Sequence, residues 1–256
     1  MFKKQTQTLI IKAATVAALM ILFLLLGSHT CSKSNRLECI GLNFSYPVSF
    51  YKEKDEVKIY SIKDTILIFY YSDYILYRLS GTKKFETGEN IRGTEPYFIF
   101  NKKNKSGFLF SSLKDSGTGT KFPIDSFLAN RGMRGKDFEV PVDSAWSLAE
   151  VIKDKENNIL EKYALIRQGD ETSIDSIYYY YAKKMNDIEY SFSKKLDSIK
   201  AMKLYKIRML YNERFSPSNN MTLPKRDILF EIRTEAVSNS KEIIDFIEKF
   251  QKCCDN

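Results

Sequence analysis

Histidine is almost missing from this chain. The one copy, His29, closes an apolar N-terminal run, so residues 32–256 contain none. That excludes Ser-His-Asp and Cys-His nucleophilic machinery, the usual histidine-bearing zinc sites, and histidine as a general acid or base in that part. Phosphate cradles are missing as well. "GTGTKF" (117–122) brings two glycines near a lysine without Walker or GxGxxG spacing, and no EF-hand spacing occurs. No cofactor is expected. With 11 Gly and 6 Pro in 256 residues there is no room for a long Gly/Pro-rich linker, and no repeat at a fixed period is visible. Charge of one sign is also scarce. The net charge is +8, and Lys3, Lys4 and Lys12 supply three of those units, leaving a mild excess of about +5. Such an excess suits weak attraction to anionic lipid or polysaccharide and excludes a nucleic-acid-binding signature.

What is present begins with a leader. Met1–Lys12 holds three lysines and no acids, and Ala13–Leu26 reads "AATVAALMILFLLL" with Thr15 its only polar residue. Fourteen residues fit the apolar core of a signal peptide; adding Leu9–Ile11 and a snorkelling Lys12 gives a short membrane span. Cys31 follows Ser28-His29-Thr30, a poor approach to a lipidation site, and Ser28 with Thr30 fits signal-peptidase cleavage only loosely. The expectation is a membrane anchor or signal segment over 1–31 and an exported domain over 32–256, on the periplasmic or extracellular side. Lipidation at Cys31 and simple secretion are the alternatives.

The exported part, with 16 Tyr and 18 Phe in the whole chain, leans toward β structure. Strands are expected over 38–46 (stopping at Pro47), 57–62, 65–71 and 74–80, followed by a hairpin over 96–113 with Gly107 available for positive φ. A short helix is expected over 122–132. A second is expected over 143–157, capped by Asp143 or Ser144, with Trp146, Leu148, Val151 and Ile152 on its apolar side. Strands over 159–168 and 176–184, a helix over most of 187–200, and strands over 203–213 and 227–237 come next. Ile243, Ile244, Phe246, Ile247 and Phe250 then form the apolar stripe of a C-terminal helix opened by Asn239 and Glu242. The fold class is therefore α+β: mainly antiparallel sheet, a few short helices, a C-terminal amphipathic helix, and one N-terminal hydrophobic helix before them. A sub-boundary, if the domain divides, falls near 115–142.

Three kinds of chemistry remain. Carboxylate pairs such as Glu139 with Asp143, or Asp170 with Glu171, have the residue types of glycoside hydrolysis but read first as solvated turns. Cys39 could bridge to Cys253 or Cys254 in an oxidising compartment and tie the first strand to the last helix. From Lys183 to Arg208 there are eight bases (Lys183, Lys184, Lys194, Lys195, Lys200, Lys203, Lys206, Arg208) against three acids. Beside them lies "YYYY" (178–181), in which Tyr178 and Tyr180 share one strand face. Tyrosine and lysine together suit an anionic polymer or lipid headgroups; the plainer reading is a two-sided strand and a solvated helix. A lysine-led leader before a Lys-, Tyr- and Phe-rich domain resembles bacterial envelope proteins in style, without a motif that assigns any residue. The expected function is non-catalytic binding or assembly at the membrane, with a protein or anionic polymer as partner. A hydrolase using only carboxylates and a subunit of a membrane complex are the alternatives.

Overall fold

The computed structural model describes residues 36–53, 56–79, 82–85, 90–115, 117–131, 133, 145–166, 173–218 and 220–254. The leader, Cys31 and the pairs Glu139/Asp143 and Asp170/Glu171 lie outside them. Among the described residues no helix is long and apolar enough to cross a membrane.

In chain order the strands are β1 (Glu38–Glu53), β2 (Glu56–Tyr71), β3 (Tyr74–Arg78), β4 (Thr82–Phe85), β5 (Asn90–Arg92), β6 (Tyr97–Asn101), β7 (Ser106–Phe110), β8 (Thr120–Pro123), β9 (Trp146–Lys153), β10 (Ile159–Leu165), β11 (Ser176–Ala182), β12 (Lys203–Tyr211), β13 (Arg214–Ser216), β14 (Met221–Leu223) and β15 (Arg226–Thr234). The helices are α1 (Ile124–Ala129), α2 (Lys194–Lys200) and α3 (Ser240–Cys254). One antiparallel sheet takes the order β8-β7-β6-β3-β2-β1-β15-β12-β11-β10-β9, with β4 also paired to β2 and β5 to β4, while β13 and β14 form a separate hairpin. The mainly antiparallel α+β expectation holds for the described chain. β8, just before α1, and β9 lie at opposite edges of one sheet.

The two faces of the sheet carry different cores. On one face Ile40, Leu42, Ile68, Tyr77, Phe98, Tyr179, Tyr181, Leu204 and Ile207 pack under Phe127 of α1 and Leu196 of α2. On the other, Phe69, Tyr74, Leu76, Tyr97, Ile99 and Phe110 pack under Ile243, Phe246, Ile247 and Phe250 of α3. The rings interlock edge to face, Phe110–Phe246 at 5.2 Å and Phe108–Phe250 at 5.4 Å between centroids. β3 and β6 lie in both cores, so four consecutive residues of each are buried and their sequences read as unbroken apolar runs.

Five local expectations change. The strands expected over 57–62 and 65–71 are one continuous strand, β2, whose residues 63–65 stay paired with β1. Residues 146–153 form β9 and not a helix: its register with β10 passes from Lys162–Glu150 to Tyr163–Leu148, leaving Ala149 as a bulge. The bulge puts Leu148 and Val151 on one face, which imitates helical spacing in a strand. Only Lys194–Lys200 of the expected 187–200 helix is helical, because Ser193 caps it, its hydroxyl accepting from the Leu196 N–H at 3.3 Å. Upstream, Tyr190 and Phe192 are buried anchors of an irregular segment. β1 continues through Pro47 with a register shift between Pro47 and Ser49; its pairing with β15 has ended at Ser45, so no strand needs the missing amide on that side. Gly107 serves close approach and not positive φ, since a Cβ there would meet Phe98 Cζ at 2.6 Å.

Candidate functional site at the open face of the sheet

α3 covers its face of the sheet over β2, β3, β6 and β7. Over β10, β11, β12, β15 and β1 strand alternation sends polar side chains to that same face. The register sets Lys162 opposite Tyr178, Tyr178 opposite Arg208, Tyr180 opposite Lys206, Lys206 opposite Glu231, and Glu231 opposite Asn43. The surface is built as a mosaic of pairs. Lys162 Nζ sits 5.6 Å from the Tyr178 ring centroid and Lys206 Nζ 5.0 Å from that of Tyr180. Arg208 Nε donates to Asp227 at 2.7 Å, Lys206 lies 3.7 Å from Glu231, and Arg233 Nε donates to Glu231 at 2.8 Å. The tyrosine faces are thus occupied by the chain's own cations, and Lys206, Arg208 and Arg233 by its own acids. Burial pushes the Tyr180 hydroxyl above its ordinary range, with Arg208 pulling the other way.

Where this face meets the flank of α3, two grooves share a wall. One, of about 610 Å³, is lined by Asn43, Thr65, Lys63, Asp64, Glu231 and Arg233. The other, of about 360 Å³, is lined by Tyr97, Lys114, Asn239 and Glu242. Arg78 and Glu95, 3.8 Å apart, line both. Within the first groove Thr65 donates to Asn43 Oδ1 at 2.7 Å, while Asn43 Nδ2 is buried without a hydrogen-bond partner. Its charges balance: Lys63, Arg78 and Arg233 face Asp64, Glu95 and Glu231. A surface of this kind offers directional hydrogen bonds and matched charges to a polar partner; it is not a cationic stripe.

The basic residues singled out in the sequence divide between the two faces. Tyr178, Tyr180, Lys206 and Arg208 share the open face. Lys183 and Lys184 lie on the single turn after β11, where Lys184 pairs with Glu156 at 3.2 Å. Lys194 and Lys195 are exposed on α2, over the opposite face. Lys200 and Lys203 are internal pins. Lys200 pairs with Glu161, which is 3% exposed, and Lys203 lies 2.9 Å from Asp197. Asp197 also accepts from the Leu204 N–H and the Ser191 hydroxyl, both at 2.7 Å. Tyr163 donates to Glu161 at 3.2 Å, and the Tyr181 hydroxyl beside this group is buried with no hydrogen-bond partner. Burial, then the Glu161 carboxylate, pushes the Tyr163 hydroxyl up to about 12. One signal for this cluster is in the sequence: Glu161 shares the inward parity of Ile159 and Tyr163, and an inward charge on a strand demands a partner.

Cys39 is a buried thiol and Cys253 an exposed one, and neither is bonded to the other. Burial, then the Glu235 carboxylate, pushes the Cys39 thiol up to about 11, so it stays protonated and inert at neutral pH. The side chain of Cys254 lies outside the described residues. Among the described residues no three His, Cys, Asp or Glu side chains gather as a metal site.

The grooves were not legible in the sequence because their residues come from five strands, two inter-strand loops and a helix terminus spread over two hundred positions. No protein family model matches the chain, and no curated protein compared with it matches either.

Proposed function

We propose that this protein is a membrane-tethered envelope protein whose exported domain binds a polar partner, without catalysis, in the grooves beside α3. The observation that supports the reading is the arrangement around Arg78 and Glu95. It is an open, charge-balanced recess on the sheet, lined in part by Asn43, whose buried amide nitrogen has no hydrogen-bond partner. Acids in the recess are matched by cations, as Glu231 is by Arg233 and Lys206, which fits recognition better than proton transfer.

The test is co-sedimentation of the full chain, extracted in mild detergent, with purified cell-wall sacculi and with anionic lipid vesicles. Binding to sacculi that Arg233→Ala and Asn43→Ala weaken, with unfolding midpoints kept, supports the reading. Unchanged binding in both variants, or none, removes the grooves as the site. Intact mass of the extracted protein separates the three fates of the leader: full length for an anchor, a start at Cys31 with acyl mass for a lipoprotein, and an unmodified start near residues 29–33 for secretion.

A further inference from the structure

The two edges of the sheet are finished differently. β8 is four residues long, ends in Pro123 with no amide to offer, and runs straight into α1. Proline, brevity and the exposed Lys121 blunt that edge. β9 is eight residues long, and no described strand pairs with its outer side. Along it Leu148, Val151 and Ile152 are 51%, 47% and 45% exposed. A long apolar edge of this kind asks for an extended backbone as its occupant.

The bulge makes β9 complementary to itself. Trp146, Leu148, Val151 and Lys153 share the face of Tyr163 and Glu161, while Ser147, Glu150 and Ile152 share the other. Reversed and laid antiparallel against its own copy, the strand sets Trp146 opposite Lys153, Ser147 opposite Ile152, and Leu148 opposite Val151. Every one of these pairs lies on a single face. Without the extra residue the same reversal would set each side chain against one of the other face. A lysine meets an indole, apolar residues meet each other, and the two Glu150 carboxylates near the axis each lie opposite Lys162 of their own β10.

We propose that β9 is a self-association edge: it pairs antiparallel with β9 of a second copy about a twofold axis normal to the sheet. Leu148 of each copy then covers Val151 of the other, and the apolar face of one sheet continues into the next. The contact is isologous, so it closes at two copies, and the blunted β8 edge adds no third. The pairing does not depend on what the grooves beside α3 bind.

The test is sedimentation of the full chain in mild detergent over a wide range of concentration. The wild type is expected to be a dimer. Val151→Lys, which places a cation on an exposed edge position, is expected to be a monomer where the wild type is a dimer, with unchanged far-UV circular dichroism and the unfolding midpoint that the wild type shows when diluted below its dimerisation range. Leu148→Cys with Val151→Cys places thiols on directly opposed residues within disulfide reach. Its oxidised form is expected to run as a covalent dimer on a denaturing gel, beyond any seen for identically treated wild type. A monomeric wild type, a Val151→Lys chain that remains dimeric, or a double-cysteine chain that does not cross-link overturns the proposal. So does a monomer whose β9 amides resist hydrogen exchange, since another segment would then hold the edge.

Discussion

The sheet has two halves that solve the same problem differently. Around β3 and β6 both faces are covered, one by the core under α1 and the other by α3, and the strands "YILYR" and "YFIFN" bury four residues in succession. Around β11 the described residues cover only one face. There "YYYY" splits, Tyr179 and Tyr181 at 2% and 0% exposure and Tyr178 and Tyr180 half-buried on the open side. One residue type thus holds two jobs on alternate positions, hydrophobic filler inward and partner to Lys162 and Lys206 outward. Coverage by a helix, and not strand composition, separates the two halves among the described residues.

The largest expected effect comes from uncovering the doubly buried half. Ile247 of α3 is fully buried against that half, and Ile247→Ala is expected to destabilise by about 3 kcal/mol, read by chemical denaturation. If the loss stays under about 1 kcal/mol, the two halves are not distinguished by α3 and the comparison fails. Next in size is a polar change in the singly buried half. Lys200→Met strips the partner from the buried Glu161 and is expected to destabilise by about 2 kcal/mol. Glu161→Leu added to it is expected to recover most of that loss, since an apolar pair leaves no orphaned charge.

This division was partly visible in advance. The antiparallel α+β class, the hairpin of β6 and β7, α1 behind Pro123 and the stripe of α3 follow from periodicity and turn residues, because those elements obey local rules. β9 did not, because one bulged residue turns a period of two into a spacing of three. The pairing of Lys200 with Glu161 and of Lys203 with Asp197 was hidden for another reason. The eight bases between 183 and 208 look like one patch along the chain, but a turn, a short helix and a strand send them to both faces. The grooves were the least legible, since Arg78 and Glu95 meet Glu231 and Arg233 only through the strand order.

Titration at high pH reads the inward tyrosines. Tyr163 rises to about 12 through burial and Glu161, whereas the unfolded chain ionises near the ordinary tyrosine value of about 10. Its neutral form is therefore favoured by folding, so that contribution is complete below about pH 10 and is lost as pH rises toward 12. Unfolding midpoints are expected to fall through that window, and less steeply in Tyr163→Phe. A variant with the wild-type slope would show that this hydroxyl stays outside the polar cluster.

The smallest expected effect belongs to the open face. Tyr178→Ala removes a half-buried ring whose specific partner is the Lys162 ammonium at 5.6 Å, and a cation–π contact at an exposed site contributes about 0.5–1 kcal/mol. The loss should stay near that size, while Tyr179→Ala, one residue along and facing the core, should cost at least about 2 kcal/mol. Equal losses at the two positions would mean that the outward face is covered in solution, and the sheet would then have one kind of half rather than two. A small loss at Tyr178 with a large one at Tyr179 locates the free face to a single side of one strand.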